Sequence, residues 1–349
     1  MTFLLPPLPP TFEAALRDVR ARAMEARRAA AERLGEADET QRAQALVGLF
    51  ALADDKDARV RAEALASLKQ LRDPSALSLL LRRVDDGDPA VRELAVVALG
   101  ALRGSEIEQA LRALLEHARA EVRFAALQSY LDACAEPDAS ALLVRFTDPD
   151  PAVRAMAVRC SRVLGERAKD ALLAAIDDAD VETRAEAALA LCALGDASGL
   201  RGLYEALDLP ELQLEALDAI GTLRVHALRD AVAALTSSVL NSRWLKAAAA
   251  RALVRLGDDL GVAALREVLR GLRRDGRSYA AEVAGELGLV ALVPDLVRLA
   301  QWPRGADPAT VASALGALLP RDARARPGLE RLARRADEAG ATARAALGQ

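Results

Sequence analysis

The chain has little of what enzymatic and disulfide chemistry draws on. Among 349 residues there are two histidines, His117 and His226, and three cysteines, Cys134, Cys160 and Cys192. Neither histidine is followed by glutamate, so the paired His-Glu motif of a di-iron site is missing. No H-E-x-x-H helix, no Gly-Lys-Ser/Thr phosphate loop, no G-x-S-x-G elbow and no C-x-x-C occurs. No catalytic, metal or cofactor site is therefore expected, and both histidines read as surface or capping residues. Three cysteines at wide spacing inside helical patterns suit small core thiols in a reducing cytoplasm better than disulfides or zinc. Aromatic residues make up only 3% of the chain, so Ala, Leu and Val must build its core. Four of the 47 cationic residues are lysine, and a net charge of -4 gives no global field for nucleic acid or an anionic membrane. No apolar run approaches the ~18 residues of a membrane helix. The start lacks a positive segment and is broken by Pro6, Pro7, Pro9 and Pro10, so neither export nor insertion is expected.

What the chain has in abundance is a repeat. Asp88-Pro89-Ala90-Val91-Arg92, followed by Ala95, Ala98 and Leu102, recurs in weakened copies whose Arg position falls at Arg61, Arg92, Arg123, Arg154, Arg184, Glu215, Lys246 and Arg277. The steps are 31, 31, 31, 30, 31, 31 and 31 residues. A fixed period over this length argues for one elongated array rather than several globular domains.

Each motif position has a physical reason. Asp88 and Asp150, with proline next, predict a helix N-cap followed by a preset first turn; Asp57 and Asp180 keep the cap alone. Three after the Arg stand Ala64, Ala95, Ala126, Ala157, Ala187, Asp218, Ala249 and Ala280, a column of small side chains with Asp218 the exception. Six after it come Ser67, Ala98, Ser129, Cys160, Ala190, Gly221, Ala252 and Val283. With the mostly Leu position ten after the Arg, these lie on one helical stripe where neighbouring helices pack closely. Gly165, Gly195, Gly257 and Gly288, eleven after it, predict left-handed helix ends. Partner helices are expected at about 74–85, 106–117, 168–177, 261–272 and 289–299. A capping helix is expected from Thr11 to about residue 34 and a further helix over 40–53. The expected organisation is a proline-rich segment with its capping helix over 1–39, then a single continuous array over 40–349.

The D-P-A-V-R-x-x-A core with its terminal Leu-Gly resembles HEAT repeats in the short form of the phycobilisome-lyase-like class, over about residues 40–318. The resemblance implies an all-α fold, an α-solenoid superhelix of about nine to ten antiparallel helix pairs, with the motif helices lining a concave face. It also implies a ladder of the motif Asp and Arg residues between repeats, drawn from Asp57/Arg61, Asp88/Arg92, Asp150/Arg154 and Asp180/Arg184. Function is not implied, because HEAT-like arrays include scaffolds, bilin lyases, a deoxyhypusine hydroxylase and DNA glycosylases.

If the small and Leu columns face inward, the positions one, five, eight and nine after each Arg face out. That face presents Val97, Phe124, Gln128, Leu131, Arg159, Arg162, Leu189, Ile220, Leu223, Arg224, Arg251, Arg255, Glu282 and Glu286. Apolar residues flanked by arginines suit a protein-binding groove. The expected function is a non-enzymatic, cytoplasmic scaffold or adaptor that binds another protein. The alternatives are a nucleic-acid-binding, DNA-glycosylase-like role, which the scattered Trp244 and Trp302 disfavour, and a bilin-lyase-like role.

Overall fold

The computed structural model describes residues 10–271, 276–301 and 305–349. Trp302, Leu272 and most of the proline-rich start lie outside the described residues. The chain divides into two compact units, Met1–Thr183 and Arg184–Gln349. The architecture is an all-α solenoid, and among the described residues there is no strand.

Unit 1 holds α1 (Phe12–Asp18), α2 (Met24–Gly35), α3 (Arg42–Ala53), α4 (Ala58–Leu71), α5 (Leu77–Arg83), α6 (Pro89–Ala101), α7 (Ser105–Leu114), α8 (Ala120–Ala133), α9 (Ala139–Leu143), α10 (Pro151–Cys160) and α11 (Lys169–Ala175). The division falls within α12 (Val181–Ala193). Unit 2 continues with α13 (Leu203–Asp208), α14 (Gln213–Thr222), α15 (Arg229–Ser237), α16 (Arg243–Arg255), α17 (Asp259–Arg270), α18 (Arg277–Glu286), α19 (Val293–Gln301), α20 (Pro308–Leu318), α21 (Arg326–Ala333) and α22 (Glu338–Leu347). In unit 1 the even-numbered helices from α2 to α10 stack on one another, and each is backed by the helix before it. Unit 2 repeats this with α14 to α22.

The motif positions act as their chemistry dictates. Asp88 accepts from the backbone N–H of Ala90 and Val91, Asp150 from that of Val153 and Asp57 from that of Arg59, closing amides that the first helical turn leaves open. Pro89 and Pro151 occupy the position where no donor is lost. The small columns are places of contact. A methyl group on Gly100 would lie 2.7 Å from the Ser129 Cβ and 2.8 Å from its Cα, and one on Gly35 would lie 2.7 Å from the Ser67 Cβ. Such closeness lets Ala-rich helices such as α16 reach native packing density without large side chains. The predicted glycines end their helices with positive φ, between 56° and 78°.

Two expectations need correction. The capping helix over 11–34 is two helices, α1 and α2, packed as a pair. Arg27 donates from Nη1 to the carbonyls of Ala21 and Arg22 in the turn between them and so makes this pair a repeat like the others. The motif Asp and Arg do not pair with each other. Asp57, Asp88 and Asp150 are committed to their caps, and the arginines reach an acidic residue of the following repeat. Arg61 clamps Asp86, Arg123 clamps Asp148 and Arg154 clamps Asp178, each through Nε and Nη2, while Nη1 binds the carbonyl six residues back. Arg27 makes the same clamp on Asp55. Each clamped carboxylate also accepts from the amide two residues on, the N–H of the cap Asp itself, as Asp86 does from Asp88 and Asp148 from Asp150. In one repeat His117 takes this place: its Nδ1 accepts from the Arg119 amide, and Arg92 turns to Glu121 instead.

Candidate functional site

Arg27, Arg61, Arg92, Arg123 and Arg154 each donate to the carbonyl six residues back; Asn241 makes the same bond ahead of α16, so the bond points to the Arg position only where the helix end agrees. In α14 the side chain that makes it is Gln213, whose Nε2 donates to the Leu207 carbonyl at 2.8 Å, not Glu215. The helix end agrees. Where a motif helix ends in a left-handed residue, as at Arg72, Gly165, Gly195, Gly257 and Gly288, that residue stands eleven past the Arg position, and Arg224, at φ 54°, is eleven past Gln213. The helix-end amide that reaches back five residues agrees again, with Val225 bonding Ile220 as Asp258 bonds Leu253 and Leu289 bonds Ala284. The spacing through Glu215 is therefore not the structural register. One repeat is shorter than thirty-one and the next longer, and the two deviations cancel.

This shift of two residues moves several side chains expected on the exposed face. Ile220 is fully buried and Leu189 is 2% exposed; both lie in the core of unit 2 with Leu217, Leu253 and Ala252. Ile220 falls on the inward stripe once the helix is counted from Gln213. Leu189 keeps its expected place, but that place borders the neighbouring helix, and an apolar side chain gains by leaning in. Arg224 is exposed beyond the end of α14, in the left-handed turn rather than on a helix face. Leu223 is 40% exposed at the helix end.

The others sit in two groups, one in each unit. In unit 1, Phe124 and Gln128 are exposed on α8 and Leu131 is half-buried there; Val97 is half-buried on α6. Arg159 and Arg162, also half-buried, follow on α10 and the turn after it, with Arg159 3.5 Å from Glu182. Val163, 60% exposed, belongs to this group and was missed.

Unit 2 holds the denser group, built from three successive motif helices. Arg251 and Arg255 on α16 each donate to Asp218 Oδ1 of α14, at 2.9 and 2.8 Å, and to Glu286 Oε1 of α18, at 2.8 and 2.9 Å. Thr222 accepts from Arg255 as well. Two cations are thus bracketed by two carboxylates. Hydrogen bonds from the arginines hold the Glu286 carboxyl below its usual range. Burial works against the Arg251 charge, but Glu286 and Asp218 outweigh it and raise that guanidinium. Beside this bracket Trp244, 42% exposed, stacks on Tyr279 with ring centroids 5.0 Å apart and planes at 28°. Leu214 is exposed next to them. Glu282 is exposed on α18.

Asp218, Leu214, Tyr279 and the part played by Trp244 were not legible in the motif. Asp218 gave one signal, as the single charge in a column of alanines. That anomaly marks the register shift.

The family model for HEAT repeats matches residues 10–87 and 139–211. The chain carries HEAT repeats, and its fold is a HEAT-type α-solenoid. None of the curated proteins compared matches the sequence. Among solved structures, a chain of the Kap95:Nup1 complex is similar with a TM-score of 0.63 at 14% identity, over 96% of this chain and 56% of that one. Importin beta is similar with a TM-score of 0.52 at 13% identity, over 92% of this chain and 57% of its own. The Escherichia coli protein YibA is similar with a TM-score of 0.52 at 17% identity, over 72% of this chain and 94% of that one. At such identities the likeness concerns the fold alone, and the chain spans little more than half the length of the first two. No helix among the described residues is long and apolar enough to cross a membrane.

Proposed function

We propose that the protein is a non-enzymatic scaffold or adaptor that binds a partner protein on the exposed face of its motif helices. The observation that carries this is the group on α14, α16 and α18. Trp, Tyr and Arg are the residue types that dominate interface energy, and here the exposed Trp244, stacked on the half-buried Tyr279, adjoins two arginines held in place by carboxylates on either side. Fixed side chains lose little rotamer freedom on binding, which favours a surface of this kind. The complex of Kap95 with Nup1 is a fold-level precedent for such use.

The same bracket argues against the nucleic-acid alternative at this face. Arg251 and Arg255 are matched by Asp218 and Glu286, so little net positive charge remains to follow a phosphate backbone. Val97, Phe124, Gln128, Leu131, Arg159 and Arg162 form a second patch in the same reading. Buried thiols at Cys134, Cys160 and Cys192 support a reducing, cytoplasmic setting.

The test is comparative affinity capture with the full chain and with a variant carrying Trp244→Ala and Arg251→Glu. A set of proteins retained by the parent and lost by the variant, at an unchanged melting temperature, is the expected result. Identical capture by both removes this face from consideration. A duplex DNA titration at low and moderate salt checks the alternative, which requires binding that falls steeply with salt.

A further inference from the structure

The group on α14, α16 and α18 does not present its two signs of charge equally to solvent. The side chains of Arg251 and Arg255 are 23% and 22% exposed, against 53% for Asp218 and 39% for Glu286. The arginines therefore lie beneath the carboxylates that bracket them. Both donate to Oδ1 of Asp218 and to Oε1 of Glu286, while Oδ2 and Oε2 accept no hydrogen bond among the described residues. Glu282, one turn before Glu286 on the same stripe of α18, is exposed and forms no ion pair among the described residues. The same positions on the neighbouring motif helices hold Leu189 and Ala193 on α12 and Ser313 and Ala317 on α20, none of them charged. Arg224 stands in the left-handed turn beyond α14 rather than on this face.

We propose that this face binds a basic segment of the partner protein, one in which a Lys or Arg follows an apolar side chain by about three residues. The proposal rests on the reading of the face as a partner-binding surface and adds the partner's charge and spacing. An anionic partner would have to displace a carboxylate that two arginines hold at once. A cationic partner meets carboxylate oxygens that bind nothing else, and charge-assisted bonds to them are strong. The arginines are then positioning residues, which fix the carboxylates before the partner arrives.

The apolar requirement comes from the other end of the same helices. Leu214 and Trp244 are exposed there, with Tyr279 stacked behind Trp244. Trp244 stands seven residues before Arg251 on α16, and Tyr279 seven before Glu286 on α18, about 10 Å along each helix. An extended chain covers that distance in about three residues. A bare metal ion does not fit the arrangement, since no group of three or more Asp, Glu, His or Cys among the described residues gathers as a cation site requires.

The experiment is fluorescence anisotropy with the full chain and labelled twelve-residue peptides at about 0.15 M salt, where distant charges are screened. The probe repeats Leu-Ser-Ser-Lys, one control has Glu for Lys, and the other has Ser for Leu. Saturable binding of the probe is expected, with both controls at least about tenfold weaker. Trp244→Ala should weaken the probe about tenfold, and Glu282→Gln/Glu286→Gln about fivefold or more. Because Glu286 also holds the arginines, Glu282→Gln alone is measured alongside at matched melting temperature, and a smaller loss in the same direction is expected. Weaker binding by Trp244→Ala together with equal binding of the Glu control would overturn the basic partner while leaving the face itself in place. Unchanged binding by Trp244→Ala would remove the face for both readings. Absence of saturable probe binding, equal binding of the Ser control, or affinity unchanged in both carboxylate variants would each overturn the proposal as well.

Discussion

Arg123 and Asp148, twenty-five residues apart, meet in a two-pronged ion pair, with Nε 2.8 Å from Oδ2 and Nη2 2.6 Å from Oδ1. The guanidinium side chain is 9% exposed and the carboxylate is fully buried. Arg123 also ties the His117 carbonyl, and Asp148 also accepts from the Asp150 amide, so each rung joins two repeats and one helix cap. Removing one partner strands the other charge in the interior. Asp148→Ala is expected to destabilise by about 3–5 kcal/mol, read from urea denaturation. A loss below about 1 kcal/mol would mean that water reaches the pair as it reaches a surface ion pair.

The rungs also set the response to acid. Asp86, against a burial penalty that pushes the other way, is lowered to about 2 by Arg61, by the Asp88 amide and by Arg83. A carboxyl whose folded value is depressed stabilises the fold above its unfolded value near 4 and loses that contribution as pH falls toward its folded value. Melting temperature should be insensitive to this group above about pH 5 and should fall between about pH 4 and 2. Asp86→Asn should melt lower at neutral pH and show a shallower acid decline.

Gly100 sits inside α6, where alanine would ordinarily improve helix propensity by about 1 kcal/mol. The contact with Ser129 reverses the sign. A methyl group 2.8 Å from the Ser129 α-carbon has no flexible atom to displace, and Gly100→Ala is expected to destabilise by a net of roughly 1–3 kcal/mol through overpacking. A more stable variant would show that α6 and α8 can separate without loss.

Arg72 and Arg224 hold the left-handed helix ends that glycine fills elsewhere, with φ of 51° and 54°. Both side chains are exposed, so little else depends on them. Arg72→Gly and Arg224→Gly should each raise stability by about 1 kcal/mol, visible as a higher melting temperature.

The register in α14 can be tested by two single substitutions. Gln213→Ala removes the bond to the Leu207 carbonyl and should destabilise by about 1 kcal/mol. Glu215→Ala, at an exposed position, should stay within about 0.5 kcal/mol. The opposite order would restore the uniform spacing.

Local chemistry alone determined the repeat, its caps, its small contact columns and its glycine helix ends. Each depends on neighbours within one or two turns, so a period and a residue type suffice to read it. Tertiary structure decided what those signals leave free. The acidic partners of Arg61, Arg123 and Arg154 lie in the next repeat, two residues before its cap Asp, a recurring Asp that only the stacking of repeats connects to the arginine, and the cap Asp beside the arginine was the wrong candidate. The shift at Gln213 escaped because compensating lengths keep the period while rotating α14, which buries Ile220 and turns Asp218 outward. The group of Trp244, Tyr279, Arg251, Arg255, Asp218 and Glu286 exists only because three helices stack side by side. Sequence reading placed Arg251 and Arg255 on that face, but packing set their charge, by bringing a carboxylate against them from each side.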